Sequence, residues 1–376
     1  NLSNNIVYVP GIASTGPSTP TLIRNYNTFV ETFGTSPDDS SLYANSWDYA
    51  TGLLLEGFPI LFHRIADVGE TKANWIITTG VDPNPVVSQL KIESKFAGTD
   101  GNKFTVTLDD GNWESGTPVT IKAIVTLVSS SVVLETINIC DVGADATTWA
   151  DVFALMKTAI DESNATDGVG FTSEYVKFEV MTPAGSTFEL PTGWATSYTL
   201  ANGTNGTTSA LVTKLNAATF SDSPFYSVID KDLYSVKFVT AGGLCGSSGS
   251  DEMYLNMKLL AETRGECLAI LDAPKDVFND STNKVEDFFT GFNSSYTTWY
   301  YPWARFTLPT GKIKWVAPSF EFLFELAKSV GVGNPIWLPP AGVNRGSVPE
   351  AVELSKVIGG TTADIWYNNK PALNPI

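Results

Sequence analysis

Histidine and cysteine are scarce in this sequence. Its 376 residues include one histidine, His63, and three cysteines. His63 lies in the nearly continuous apolar stretch PILFHRI, where a packed or hydrogen-bonded core histidine is far more common than a catalytic base. Cys140, Cys245 and Cys267 lie far apart without a C-x-x-C pattern, which indicates neither a zinc site nor a disulfide framework and fits folding in a reducing cytoplasm. A Ser-His-Asp mechanism would therefore depend on His63 alone.

Positive charge and long apolar runs are also scarce. The chain has 23 Lys and Arg against 40 Asp and Glu, a formal net charge of -17 at pH 7. Because nucleic-acid backbones bind clustered cations and no basic run exists here, we expect no nucleic-acid partner. No uninterrupted apolar run approaches the roughly 20 residues that a transmembrane helix needs, so we expect no membrane insertion.

The patterns that are present divide the chain into three parts. Residues 1–90 carry a helical pattern, SSLYANSWDYATGLLLEG, with Leu42 and Leu54 on one face, and then the buried-strand pattern FPILFHRIA. Residues 91–202 alternate apolar and polar side chains, which predicts antiparallel strands interrupted by one helix, TTWADVFALMKTAIDESN. Residues 203–376 return to helix and strand in SDEMYLNMKLLAETRG and ECLAILDAP. The predicted fold class is α/β plus β, a discontinuous α/β core domain with an inserted β-rich domain.

The predicted insertion is also the acidic part of the chain. Residues 91–202 hold 15 Asp and Glu against six Lys and Arg, which predicts a surface that faces solvent. The small, polar stretch ANGTNGTTS, residues 201–209, is predicted to be the linker that leaves this domain.

Two features of the sequence weakly resemble catalytic or binding motifs: a Gly- and Ser-rich stretch and pairs of neighbouring aspartates. The stretch GGLCGSSGSDEM has neither the Gly-x-Ser-x-Gly spacing of a serine nucleophile nor the lysine of a phosphate loop, and Asp251 and Glu252 would repel phosphate. The pairs Asp38–Asp39 and Asp109–Asp110 could bind calcium or act as acid and base, but turn chemistry explains them better. We therefore predict no catalytic residue, no cofactor site and no metal site.

The stretch WYYPW packs four rings, Trp299, Tyr300, Tyr301 and Trp303, around Pro302. Such rings could stack on sugars, as in a glycan-binding protein, or form a buried strand. The surrounding sequence alternates rings to both faces inside the α/β part, which favours the buried strand. Pro302 would then end the strand pairing near the edge of the sheet.

Several segments in a common order resemble the contractile tail sheath proteins of bacteriophages and related injection machines. The N-terminal segment GPSTPTLIRNYNTFVETFG resembles the family's pattern there, and KFAGTDGNKFTVTL resembles the start of its inserted β-sandwich. Further on, AETRGECLAILDAP, WYYPW, VAPS and WLPPAGVNRG are similar to sheath segments. Each motif alone is weak, but their order extends over nearly the whole chain.

The chain also departs from the family pattern. After APS it has Phe320, Phe322 and Phe324 where the family has small residues, which indicates a divergent branch of the giant-phage kind. The ending YNNKPALNPI resembles a family segment that is normally followed by a C-terminal domain. The resemblance therefore implies a fragment that lacks this domain and the N-terminal arm.

The resemblance implies a fold and a function. The family core has a subtilisin-like α/β topology without a protease site, so the chain is expected to be a structural protein and not an enzyme. Its expected partners are other sheath subunits, with contacts to the tail tube and baseplate through the missing regions. The expected location is the virion tail, after synthesis in the bacterial host cytoplasm. The chain alone is expected to be a monomer. A glycan-binding adhesin or other virion surface protein is the alternative.

Overall fold

The computed structural model describes residues 2–37, 40–79, 87–165, 170–182, 186–190, 196–276, 288, 292–342, 346–361, 364, 368 and 374–375. In chain order the strands are β1 Ile6–Gly11, β2 Thr21–Ile23, β3 Ile60–Arg64, β4 Asn74–Thr79, β5 Val87–Ser94, β6 Phe104–Asp109, β7 Val119–Leu127, β8 Val133–Val142, β9 Val176–Val180, β10 Ser197–Thr199, β11 Val236–Val239, β12 Leu268–Asp272, β13 Thr297–Tyr301, β14 Ala304–Thr307, β15 Ile313–Val316, β16 Ala351–Leu354 and β17 Asn374–Pro375. The helices are α1 Tyr26–Phe33, α2 Ser46–Leu55, α3 Trp149–Asn164, α4 Thr208–Leu215, α5 Glu252–Arg264 and α6 Pro318–Gly331.

The chain folds as two compact units. Unit 1 comprises Asn1–Gly69 and Gly206–Ile376, and unit 2 comprises Glu70–Asn205. The predicted insertion spanned residues 91–202, whereas unit 2 begins 21 positions earlier, at Glu70. The reason is strand pairing: β5 pairs antiparallel with both β4 and β9, so the β4–β5 hairpin is part of the sheet of unit 2.

Unit 1 is built on a seven-stranded sheet in the order β17-β13-β12-β11-β1-β3-β2. All its pairings are parallel except that of β2 with β3. Alternate side chains enter two hydrophobic cores. Tyr8 and Trp299 pack in the core that includes α4 and α5, whereas Val9 and Phe62 pack in the core that includes α1, α2 and α6. Because both faces are covered, the central strand β1, IVYVPG, carries no charged side chain and is buried throughout.

Local signals in the sequence explain the helices of unit 1. Asn45 caps α2 and forms a capping box with Asp48, and nine of the ten α2 residues are buried. The predicted apolar face of this helix is confirmed except for Leu42, which precedes the helix and is 70% exposed. The α5 helix ends at Gly265, whose left-handed backbone (φ 68°) favours glycine.

A smaller antiparallel sheet, β15-β14-β16, completes unit 1. Its inward side chains, among them Phe306 and Val316, join the core that contains α6. Among the described residues, no helix combines the length and the apolar character needed to cross a membrane.

Unit 2 contains two antiparallel sheets, β10-β6-β7-β8 and β4-β5-β9. Both sheets contribute to one core, with Val106 and Val125 from the first and Ile92 and Phe178 from the second. The α3 helix begins at the Thr148 cap, and its predicted inward residues are buried: Val152, Phe153, Met156 and Ile160. The sequence-based prediction of antiparallel strands around one helix is thus confirmed for the described residues.

Candidate functional site

The carboxyl end of the main sheet is where α/β proteins usually bind ligands, above all where the strand order reverses. In unit 1 the order reverses at β1, since β3 lies on one side of it and β11 on the other. We therefore describe the groups that follow β1, β11, β12 and β13.

Asp272, the last residue of β12, forms the centre of a buried hydrogen-bond network. Ser319 is the second residue of α6, and its backbone N–H has no partner within the helix. This N–H donates to Asp272 Oδ1 at 2.6 Å, and Ser319 Oγ donates to Asp272 Oδ2 at 2.6 Å. The Tyr49 hydroxyl lies 2.9 Å from Ser319 Oγ. Burial raises the pKa of Asp272 to about 7, although the Ser319 hydrogen bonds act in the opposite direction.

The network continues through the backbone that follows β12. The Tyr254 hydroxyl donates to the Asp272 carbonyl at 2.6 Å and accepts from Gly246 N at 2.8 Å. Trp303 Nε1 donates to the Ala273 carbonyl at 2.7 Å. These bonds join β12 to α5 and to the segment after β13. They fix backbone positions, which is a structural role.

A cavity of about 210 Å³ lies near this end of the sheet. Its lining includes Ile12, Ser46, Leu211, Leu244 and Trp303. Of the residues that line it, Tyr43 is the one titratable side chain. The lining contains no His, Asp, Glu, Lys or Cys, which are among the side chains that act in general acid–base catalysis.

His63 is not brought to Asp272 and Ser319. It lies on β3, which is separated from β12 by β1 and β11, roughly 14 Å at the usual strand spacing. Its Nδ1 lies 2.8 Å from the Tyr8 hydroxyl and 3.3 Å from Ser227 Oγ. Burial lowers the pKa of His63 to about 4, so the ring is neutral at pH 7. The interpretation of His63 as a hydrogen-bonded core residue is confirmed.

The Gly- and Ser-rich turn before α5 is closed by a side chain of the chain itself. Asp251 Oδ2 accepts from Ser247 N at 2.6 Å and from Ser248 N at 3.2 Å. A bound phosphate would need these same N–H groups. The turn thus serves to begin the helix at Asp251, as the sequence predicted.

Three of the four rings of WYYPW are buried, and Tyr300 is partly buried. Trp299 is 1% exposed and Tyr301 0%, and Trp299 lies 5.0 Å from Tyr254 and 4.9 Å from Phe292, centroid to centroid. Tyr300 points to the other face and stacks on Phe322 at 4.8 Å. The buried-strand prediction is confirmed, and β13 ends just before the proline. Since β17 pairs outside β13, β13 is the strand next to the edge of the sheet, in agreement with a strand end near the edge.

The remaining candidates have local explanations. Asp109 Oδ1 accepts from Gly111 N and Asp110 Oδ1 from Asn112 N, both at 2.9 Å, as expected for turn residues. Asp38 and Asp39 lie outside the described residues. Within the described part of the chain no group of three or more His, Cys, Asp or Glu could hold a metal ion.

The three cysteines are free thiols. Burial raises the pKa of Cys140 to about 11 and that of Cys245 well above its ordinary value. Both thiols are therefore protonated at pH 7 and poorly reactive.

Several buried polar residues of unit 1 are not predicted as such from the sequence. Asp272 and Ser319 lay in the quoted stretches LAILDAP and APS, where an Asp ending a buried strand and a Ser in a first helical turn were available signals. Lys314 Nζ and Asp48 Oδ2 form a buried ion pair at 2.7 Å, with side-chain exposures of 5% and 0%. No sequence signal joins these two residues, because they are 266 positions apart.

The described residues thus define a mixed α/β protein whose main sheet ends in a buried polar network. No family model matches the chain, and no curated protein matches it. Among solved structures, the sheath tail protein of Listeria innocua superposes with a TM-score of 0.50 at 13% sequence identity. That match covers 99% of this chain and 65% of the other.

A second solved structure, the sheath tail protein of Desulfitobacterium hafniense, matches with a TM-score of 0.47 at 14% identity, covering 96% of this chain and 66% of the other. The chain thus spans less than two thirds of the length of either structure. At 13% identity, the likeness to the Listeria protein shows a shared fold.

Proposed function

We propose that this chain is part of a structural subunit of a contractile phage tail sheath and is not an enzyme. The observation that carries the proposal is the fold shared with the Listeria sheath tail protein over 99% of this chain. The family resemblance of segments such as WYYPW and AETRGECLAILDAP supports the same function independently.

The proposed assembly is a set of helically repeated rings around a tail tube, in which extended arms add strands to the sheets of neighbouring subunits. Contraction would move whole subunits between two packings and drive the tube through the host envelope. The free energy would come from the difference between two sets of interfaces. The Asp251-closed turn, which leaves no phosphate loop before α5, is consistent with a process that consumes no nucleotide.

Within this proposal the two units have different roles. The largely parallel sheet of unit 1, covered by helices on both faces, supports a subtilisin-like sheath core that uses its carboxyl end for packing. The acidic, β-rich unit 2 would be an inserted domain that faces outward from the sheath. The phenylalanines of α6, which pack against Phe306 and Tyr300, support a divergent branch of the giant-phage kind.

Electron microscopy of the complete gene product tests the proposal. We expect tubes with a helical repeat, alone or around a tail tube. Particles without any polymer, at concentrations where other virion proteins assemble, would contradict it. Sugar-dependent quenching of tryptophan fluorescence would instead favour the glycan-binding alternative, which the burial of Trp299 and Tyr301 disfavours.

A further inference from the structure

The segment that follows α6, residues 332–342, exposes a large aromatic side chain. Trp337 is 78% exposed, and Val332 in the same segment is 80% exposed. Trp299, Tyr301 and Trp303, in contrast, are buried. We call residues 332–342 the Trp337 loop.

The Trp337 loop is held in place by its own hydrogen bonds. Asn334 N donates to the Ser329 carbonyl at 3.1 Å, and Asn334 Nδ2 lies 3.1 Å from Ser329 Oγ. A turn follows, in which Leu338 N donates to the Pro335 carbonyl at 2.9 Å. The neighbouring Ile336 is partly buried against the core that contains α6. Because the backbone around Trp337 is already ordered, docking this ring would lose little conformational entropy.

The loop is also free of charge in a strongly acidic chain. The 14 residues 329–342 contain no charged side chain, whereas the chain as a whole carries -17. A groove beside the loop is lined in part by Val332, Glu325 and Lys328. There Lys328 Nζ contacts Glu325 at 3.2 Å and Glu350 at 2.9 Å, so one ammonium faces two carboxylates and this group keeps a net negative charge.

These charges select the kind of partner. A basic partner would be attracted to surfaces with excess carboxylates, and the largest excess lies in residues 91–202, with 15 Asp and Glu against six Lys and Arg. Two copies of one acidic chain repel each other, and they approach at least electrostatic cost through a segment without charged side chains. The core of a protein interface is typically depleted in charge and enriched in aromatic residues, and tryptophan is the commonest kind of anchor.

We propose that Trp337 anchors a contact with a second copy of this chain. The choice of a second copy rests on the proposed function as well as on charge. In a helical array the contact is heterologous, so the ring of Trp337 docks on a different surface of its neighbour. The Trp337 loop thus forms an inter-subunit contact made by side chains, distinct from strand exchange between arms.

Polymerisation of the complete gene product tests the contact. We expect Trp337→Ala to raise the critical concentration for tube formation more than about tenfold, as for a truncated interface anchor. Trp337→Phe should recover part of the loss because it keeps a ring. Trp75→Ala, which removes another exposed tryptophan (44%) in unit 2, is the matched control and should leave the critical concentration unchanged.

The possible results distinguish failure of the Trp337 contact from failure of the proposed sheath function. Wild-type tubes together with an unchanged critical concentration in Trp337→Ala would overturn the contact and leave the sheath function standing. If the wild type forms no tubes, the proposed sheath function is contradicted. The Trp337 contact is then tested separately, with a photo-crosslinking residue placed at position 337 of the concentrated chain. Crosslinks between two copies support it, and crosslinks confined to one copy, or none, overturn it.

Discussion

Trp303 joins three parts of unit 1 through one side chain. Its indole N–H donates to the Ala273 carbonyl after β12, its backbone N–H donates to Ser355 Oγ at 3.2 Å, and its ring meets the edge of Tyr43 at 6.4 Å. At 7% exposure nearly all of its apolar surface contributes to stability.

We expect Trp303→Ala to lower the free energy of unfolding by about 3 to 5 kcal/mol, because it leaves a cavity and removes the indole hydrogen bond to the Ala273 carbonyl. Urea denaturation followed by circular dichroism measures the change. Trp337→Ala is the control and should stay within about 0.5 kcal/mol, since Trp337 is exposed. A Trp303→Ala protein as stable as the wild type would return WYYPW to consideration as a ligand platform.

Asp272 should make the stability of the chain depend on pH. Its pKa rises from 3.8 to about 7 on folding, so between these values the folded chain binds a proton that the unfolded chain lacks. The resulting stabilisation is complete below about pH 4 and is lost as the pH rises through about 7. His63 acts in the opposite direction, because its pKa falls from 6.5 to about 4 on folding.

The comparison of wild type with Asp272→Asn isolates the contribution of the Asp272 carboxyl group to the pH dependence of stability. Between pH 5 and pH 8 the wild type should lose about 2 to 3 kcal/mol more stability than the variant. Urea denaturation at several pH values measures both slopes. Glu262→Gln, which changes an exposed acid on α5, should keep the wild-type slope. Equal slopes for wild type and Asp272→Asn would contradict the assignment.

At the scale of elements, the packing of α2 against α6 depends on a glycine. A Cβ added at Gly52 in α2 would lie 2.6 Å from Cζ of Phe320 in α6. The Phe320 ring is itself fixed, since it is fully buried and lies 5.4 Å from Tyr49. The large Phe320 side chain in α6 is thus matched by a small residue in α2.

We expect Gly52→Ala to destabilise the chain by about 1 to 3 kcal/mol, because overpacking outweighs the higher helix propensity of alanine. Thermal unfolding measures the effect, and Phe320→Leu in the same chain should recover part of it. The matched control is Gly331→Ala in α6, where no atom lies within 4 Å of the added Cβ. A neutral or stabilising Gly52→Ala would show that α2 and α6 can separate at no cost.

At the scale of the whole molecule, each unit has its own hydrophobic core. In each unit, backbone hydrogen bonds also join the two chain segments that meet at its boundary. Within unit 1, Thr207 N donates to the Val68 carbonyl at 3.0 Å, which brings together the chain on both sides of unit 2. Within unit 2, Thr71 and Thr204 exchange two backbone hydrogen bonds of 3.1 and 3.2 Å. Each unit therefore ends where its own chain segments meet.

We expect residues 70–205 to fold when expressed alone, because their core consists of their own side chains. Replacing them by a short Gly-Ser linker between Gly69 and Gly206 should leave unit 1 folded, since the ends to be joined already lie together. Amide exchange and cooperative unfolding measure both. Loss of cooperative unfolding in either part would contradict the division at Glu70 and Asn205.

The sequence by itself determined the local structure of the described residues. Helical periodicity predicted the helices α2, α3 and α5, and alternation predicted the strands β6 to β9 of unit 2, because these signals act between residues close in the chain. The buried-strand prediction for WYYPW depended on the same alternation.

Only the tertiary structure decided which distant residues meet. The Lys314–Asp48 ion pair, the Asp272–Ser319 bonds and the pairing of β5 with β9 join segments that are far apart in sequence. Such contacts depend on the packing of whole elements, which no local pattern specifies. For the same reason the start of unit 2 at Glu70, and the difference between the buried Trp299 and the exposed Trp337, emerged only in the folded chain.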